Sequence, residues 1–258
     1  MKRLYQPGFT IIETMLFLAI TGVLVASILV GTGASMNVQR YRDSVTSLKS
    51  LIQKQYSDAT NVQNQTPATA ISCNSNAVIS TSGTTEPRGQ SDCVVIGRYL
   101  SINQDTVTTK TVIGHSGSTS GSSLSDIDLI KSYNLTTLDS SAETSQLDWG
   151  TRIAWPVSGG GAKSPTTPRT IAVLIVRSPQ SGQTYTFTSD DITAPIKSMI
   201  VAGVGTVAGF PGQAQRTICV DSNGLFASNG MAVSIGAYAS GASDIEIRSN
   251  NAGYSSVC

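Results

Sequence analysis

The feature that most constrains this chain is an apolar run at residues 9–30 that carries one ionisable side chain, Glu13. Read as a helix, the run is long enough to cross a bilayer's hydrocarbon, which takes roughly 20 apolar residues. Glu13 is the fifth residue of that run. An ionised side chain costs on the order of 3 kcal/mol at mid-bilayer, so a carboxylate there needs a partner. A plain anchor has no use for it.

Ahead of the run stand Lys2 and Arg3, then Gln6-Pro7-Gly8. A short basic leader ending in Gly8, then Phe9-Thr10, then Glu13 at the fifth place, resembles the start of type IV prepilins and type II secretion pseudopilins. The resemblance implies cleavage between Gly8 and Phe9 by a prepilin peptidase, which also N-methylates Phe9. It implies that Glu13 pairs with the N-terminal amine of a neighbouring subunit during assembly. Gly22 matches a glycine common in such helices. Val30 stands where many major pilins carry proline, which favours a minor pilin or pseudopilin. An ordinary secretory signal cut near Gly33-Ala34-Ser35, or a plain signal anchor, also accommodates the basic leader. Neither explains Gly8-Phe9-Thr10 together with Glu13.

Beyond the apolar run the helical period continues. Val38, Tyr41, Val45, Leu48, Ile52, Tyr56 and Ala59 recur at steps of three and four and share one face. No proline interrupts residues 9–60, so the spacing predicts one helix about 80 Å long at 1.5 Å per residue rather than two joined at Gly31 and Gly33. The expected organisation is a leader at 1–8, a transmembrane or filament-core helix at 9–35, its amphipathic continuation at 36–61 and a β-rich globular domain at 62–258. The fold class is α+β: a long N-terminal helix, its first half membrane-spanning, packed on a C-terminal antiparallel sheet domain. That layout is pilin-like.

Composition narrows the partners. Charged residues make up 13% of the chain and the formal net charge is +1, which leaves no whole-chain electrostatic case for nucleic acid. The cysteines are Cys73, Cys93, Cys219 and Cys258. None has C-x-x-C spacing, and with one histidine in the chain a Cys/His metal site is not expected. An even count beyond a membrane segment points to disulfides in an oxidising compartment. Three pairings are open, of which the local ones, Cys73–Cys93 and Cys219–Cys258, are preferred; these loops would stabilise by roughly 3 and 4 kcal/mol in the chain-entropy account. The second would also hold the chain's end. Lys2 and Arg3 argue for an inside N-terminus, and the disulfides place the globular part outside the cytoplasm. The expected location is therefore a single-pass cytoplasmic membrane protein, and a cell-surface filament after assembly.

The remainder reads as strands and loops. Residues 93–100, 106–113, 152–157, 170–176 and 183–188 have strand composition, and Ile171-Ala172-Val173-Leu174-Ile175-Val176, apolar on both faces, suits a central strand. Residues 124–138 are ambiguous, with a short helix near 125–133 that Ser125 could cap. Residues 196–204 read as a strand, central or edge. Residues 216–220 and 225–226 read as strands around an Asp221-Ser222-Asn223-Gly224 turn, and 231–238 and 244–248 as further strands. Residues 114–123 and 158–168 read as loops.

No catalytic constellation is visible. His115 is the lone histidine beside a Gly/Ser stretch. Gly159-Gly160-Gly161-Ala162-Lys163-Ser164 lacks the spacing of a phosphate loop. Asp221 and Asn223 are too few for calcium, and Asp126, Asp128, Asp139, Glu143 and Asp148 have no spacing that pairs them. No enzymatic activity and no cofactor are expected. Two functions remain: a filament subunit of a type IV pilus, competence pilus or secretion pseudopilus, or a membrane-anchored surface adhesin or binding module outside any filament. The first implies as partners other pilin subunits, the prepilin peptidase, an assembly ATPase, a platform membrane protein and, before assembly, membrane lipid.

Overall fold

The long helix forms as one piece. In a computed structural model that describes residues 10–61, 72–74, 76–77, 79–80, 93–116, 124–156, 167–202, 212–224, 230–249 and 258, helix α1 runs Ile11–Thr60 without a break. Side chains at 34, 72, 73, 79 and 80 are not among those described. Thr10 caps the helix in extended backbone, its hydroxyl accepting from the Glu13 N–H at 3.3 Å. The two halves of α1 live in different surroundings. Tyr41, Val45, Leu48, Ile52, Tyr56 and Ala59 are all buried, while the side chains of residues 22–32 are exposed on every face.

The strands that receive α1 form two antiparallel sheets. The larger has five strands, in spatial order β5 (Asn134–Gln146), β4 (Thr106–His115), β3 (Cys93–Asn103), β7 (Thr170–Arg177) and β8 (Thr184–Ser189). The smaller has four, in order β11 (Ile245–Ser249), β10 (Met231–Ile235), β9 (Arg216–Asp221) and β6 (Arg152–Ala154). A short pair, β1 (Ser72–Cys73) with β2 (Ile79–Ser80), forms a sheet of its own, and two short helices, α2 (Asp126–Ser132) and α3 (Ile196–Met199), with tight helical turns at Asp148–Gly150 and Ala242–Asp244, complete the described elements.

The period-two pattern of β7 explains the layering. Ile171, Val173 and Ile175 face α1, joined by Leu100 and Ile102 of β3 and by Ile218, Val220, Val233 and Ile235 of the small sheet. Ala172, Leu174 and Val176 face the other way, into a second core with Phe187, Ile130 of α2 and Met199 of α3. A strand buried on both sides has to be apolar at every position. Each fully buried Leu, Ile or Phe side chain contributes roughly 1.5–3 kcal/mol, so α1 is held by several such terms.

The sheets meet along a polar seam centred on Arg169, which is 2% exposed. Its Nε and Nη2 donate to Asp190 Oδ1 at 3.2 and 2.6 Å, its Nη1 donates to the Thr217 carbonyl at 2.7 Å, and the guanidinium lies 4.4 Å from the Trp155 ring centroid. Arg216 Nε donates to Thr188 Oγ1 at 3.1 Å across the same seam. Asp190 follows β8 and Thr217 lies in β9, so one side chain joins the two sheets.

Several expectations are corrected by the structure. Ile196 opens a helical turn, α3, rather than a strand; Ile196, Met199 and Ile200 are spaced by three and four and cover the outer core together. Strand β6 ends at Ala154, which also forms an isolated bridge with Pro168, and residue 157 lies outside the described residues. The ambiguous stretch divides into α2, capped by Ser125, and the first residues of β5, which has no apolar alternation because it is a largely exposed edge strand. The ladder between β4 and β5 shifts at Thr109–Thr111, where Ser141 Oγ accepts from the Thr111 N–H at 2.8 Å in place of a backbone carbonyl. Gly114 and His115 belong to β4 rather than to a loop. Strand β9 pairs with β10; Leu225 and Phe226 lie outside the described residues.

Candidate functional site: the unpacked half of the long helix

The described part of α1 contains a stretch long and apolar enough to cross a membrane, and none of that stretch is buried against the rest of the chain. Ile12 is 78% exposed, Phe17 68% and Leu29 65%. Solvent exposure of so many large apolar side chains along one helix is the signature of a surface made for lipid or for other helices.

Its polar groups are self-sufficient with one exception. The hydroxyls of Thr14, Thr21, Ser27 and Thr32 donate back to the carbonyls of Ile11, Phe17, Val23 and Ile28 at 2.9, 2.8, 2.8 and 3.0 Å. In an apolar medium that arrangement leaves no hydroxyl unpaired. Glu13 sits in the first turn, where the helix dipole favours an acid, and its backbone N–H is capped. Its carboxylate has no partner among the described residues. Gly8 and Phe9, the expected processing site, lie outside the described residues.

The domain end of α1 is tied down by long-range bonds. Tyr41 donates its hydroxyl to the Val220 carbonyl at 2.7 Å and accepts from the Met231 N–H at 2.8 Å, joining α1 to both central strands of the small sheet. Tyr56 shares a hydrogen bond of 2.8 Å with Thr186 of β8, and burial pushes its phenol up to about 12. Burial raises Tyr41 as well.

The cysteines fall into place separately. Cys219, in β9, is bonded to Cys258, with the two Cα atoms 5.6 Å apart. Cys93 is disulfide-bonded, and the Cys73 side chain lies outside those described. His115 ends β4 in register with Cys93 and Asn134. Among the described residues no three His, Cys, Asp or Glu side chains are grouped to hold a metal ion. Residues 159–164 lie outside the described residues.

Three features were not foreseen from sequence. Arg169 forms the seam described above. Asp126 accepts from the hydroxyls of Ser178, Ser181 and Tyr185 at 2.8, 2.5 and 2.9 Å, tying α2 to the β7–β8 turn; the Ser181 and Ser178 bonds hold its carboxyl below the usual range. Trp149, in the Asp148–Gly150 turn, stacks on Arg40 of α1. All three depend on partners many residues away. Only the Trp149-Gly150 pair, a turn signal, offered any local hint. Comparison with family models, curated proteins and solved structures found no match.

Proposed function

We propose that this chain is a structural subunit, of the minor kind, of a type IV pilus or type II secretion pseudopilus. In this reading it is made with residues 1–8 as leader, cleaved between Gly8 and Phe9 and N-methylated on Phe9. It waits in the cytoplasmic membrane with its globular domain outside. It then assembles by packing its N-terminal helix, residues 9–35, against the same helices of neighbouring subunits, with a prepilin peptidase, an assembly ATPase and a platform protein as partners. The observation that carries the reading is the division of α1: one unbroken helix whose second half is held by two sheets and whose first half packs on nothing among the described residues. A surface of that kind suits lipid before assembly and other helices after it.

Glu13 distinguishes this reading from a membrane-anchored adhesin. A carboxylate in an apolar helix is a cost to an anchor and a register mark to a subunit, because a neighbour's amine neutralises it only at one axial offset. The experiment is Glu13→Leu, followed in membranes and in sheared filaments. The variant is expected to insert in the membrane at wild-type level and to be depleted from filaments. Undiminished incorporation would overturn the pairing, and absence of the wild-type chain from every filament fraction would leave the anchored binding module.

A further inference from the structure

Trp149 combines two features that rarely occur together. It is a bulky residue in left-handed backbone, φ 60 and ψ 22, and its side chain is 54% exposed. Leu147, two positions earlier, is buried, so the chain sinks the smaller apolar side chain and holds the larger one out. The turn is pinned from three sides. Thr151 donates both its N–H and its hydroxyl to the Asp148 carbonyl, at 3.3 and 3.0 Å. Asn223 Nδ2 donates to the Gly150 carbonyl at 3.2 Å. The hydroxyls of Thr151 and Ser44 are 2.5 Å apart. Ser44 is on α1, so the height of the turn along the helix is fixed, and one turn earlier the Arg40 guanidinium lies 4.8 Å from the Trp149 ring centroid.

We infer that Trp149 and Arg40 form a platform that rests in the phospholipid headgroup layer of the membrane that α1 crosses. This rests on reading α1 as a membrane span. Between Glu13 and Arg40 no residue of α1 is charged. If hydrocarbon begins just past Glu13, the roughly 20 residues it takes end near Gly33. A headgroup layer about 5–8 Å deep then reaches Val38 at about 1.5 Å per residue. Arg40 lies two residues further on. Side chains of a helix lean toward its N-terminus, so this one leans back toward lipid. An indole held beside that side chain is brought to headgroup level, where membrane proteins place tryptophan. Arg40 against the ring is offset by exposed Asp148, the residue before Trp149 in sequence. The contact is therefore with zwitterionic headgroups and insensitive to salt.

The test uses the full-length chain in phosphatidylcholine vesicles. Trp155→Phe leaves Trp149 as the only tryptophan. Its fluorescence is expected to be lost more to a quencher on the lipid headgroup than to one deep in the acyl chain, with little change on adding salt. Because Trp155 stacks on Arg169, the difference between wild type and Trp149→Phe gives the same readout if Trp155→Phe disturbs the domain. Phe17→Trp in a chain lacking both native tryptophans reports the span separately, through the deep quencher. If Phe17→Trp is quenched and Trp149 is reached only by aqueous acrylamide, the platform is overturned and the span stands. If neither lipid quencher acts on Phe17→Trp, the span itself falls. Protection of Trp149 in filaments but not in vesicles would assign the ring to a neighbouring subunit and overturn the lipid contact.

Discussion

Arg169 shows how much one side chain can join. It is almost fully buried, and its donors go to a carboxylate beyond one sheet and a carbonyl within the other. Arg169→Ala would leave the Thr217 carbonyl without its donor and Asp190 with only the longer 3.8 Å approach of Arg216 Nη2, and losing hydrogen bonds to a charged group costs about 2 kcal/mol. Thermal unfolding should show that loss, and Arg169→Lys should not restore it, because an ammonium cannot reproduce the planar fork or the stacking on Trp155. Tyr56 makes a different prediction. Its phenol ionises near 10 in the unfolded chain and at about 12 in the folded one. The folded-state value is raised, so this stability is fully present below pH 10 and is lost as pH rises through 12. Tyr56→Phe should flatten the alkaline fall in unfolding free energy, measured by denaturant titration across that window. Tyr56 was legible in the sequence as a member of the stripe at steps of three and four, and Glu13 stands out there because its oddity is local: a charge in an apolar run. Arg169, Asp126 and Trp149 gain their roles from partners that only the fold brings near.

At the scale of elements, α1 predicts an asymmetry. Leu48→Ala, in the packed half, should lower the unfolding free energy by about 2–5 kcal/mol, the usual cost of a core cavity. Leu18→Ala, in the unpacked half, should leave it unchanged; denaturant unfolding in detergent micelles compares the two. Strand β3 has its own weak point at Gly97, beside a shift in its ladder with β4, where an added Cβ would run into the Ile175 carbonyl of β7. Gly97→Ala should therefore disrupt the β3–β7 pairing and depress the melting temperature. The elements legible in the sequence were those whose apolar period is strong: α1, whose buried face is the stripe at steps of three and four, and β7, whose double-sided apolar run marked a central strand. Strand β5 was not legible, because an exposed edge strand of Ser, Thr and acids carries no alternation. Helix α3 was misread because four residues of Ile, Lys, Ser and Met are too few to tell period two from period 3.6.

The whole molecule is a sheet domain on the second half of a helix whose first half packs on nothing among the described residues. The Cys219–Cys258 bond, spanning 39 residues, ties β9 to Cys258. Cys219→Ser should cost the domain about 4 kcal/mol in the chain-entropy account, read as a melting temperature below wild type, a difference that closes when both are measured under reducing conditions, which also open the Cys93 bond. The α+β layout was legible because helix and strands occupy separate regions of the sequence. The division into two sheets was not, since β6 precedes β7 in sequence but pairs with β9. The central proposal is that the chain is a filament subunit processed between Gly8 and Phe9, and the mass of the mature N-terminal peptide from membranes or sheared filaments tests it most directly. The account predicts a terminus at Phe9 one methyl heavier than the sequence. A terminus at Met1, or one near Ser35, would contradict it.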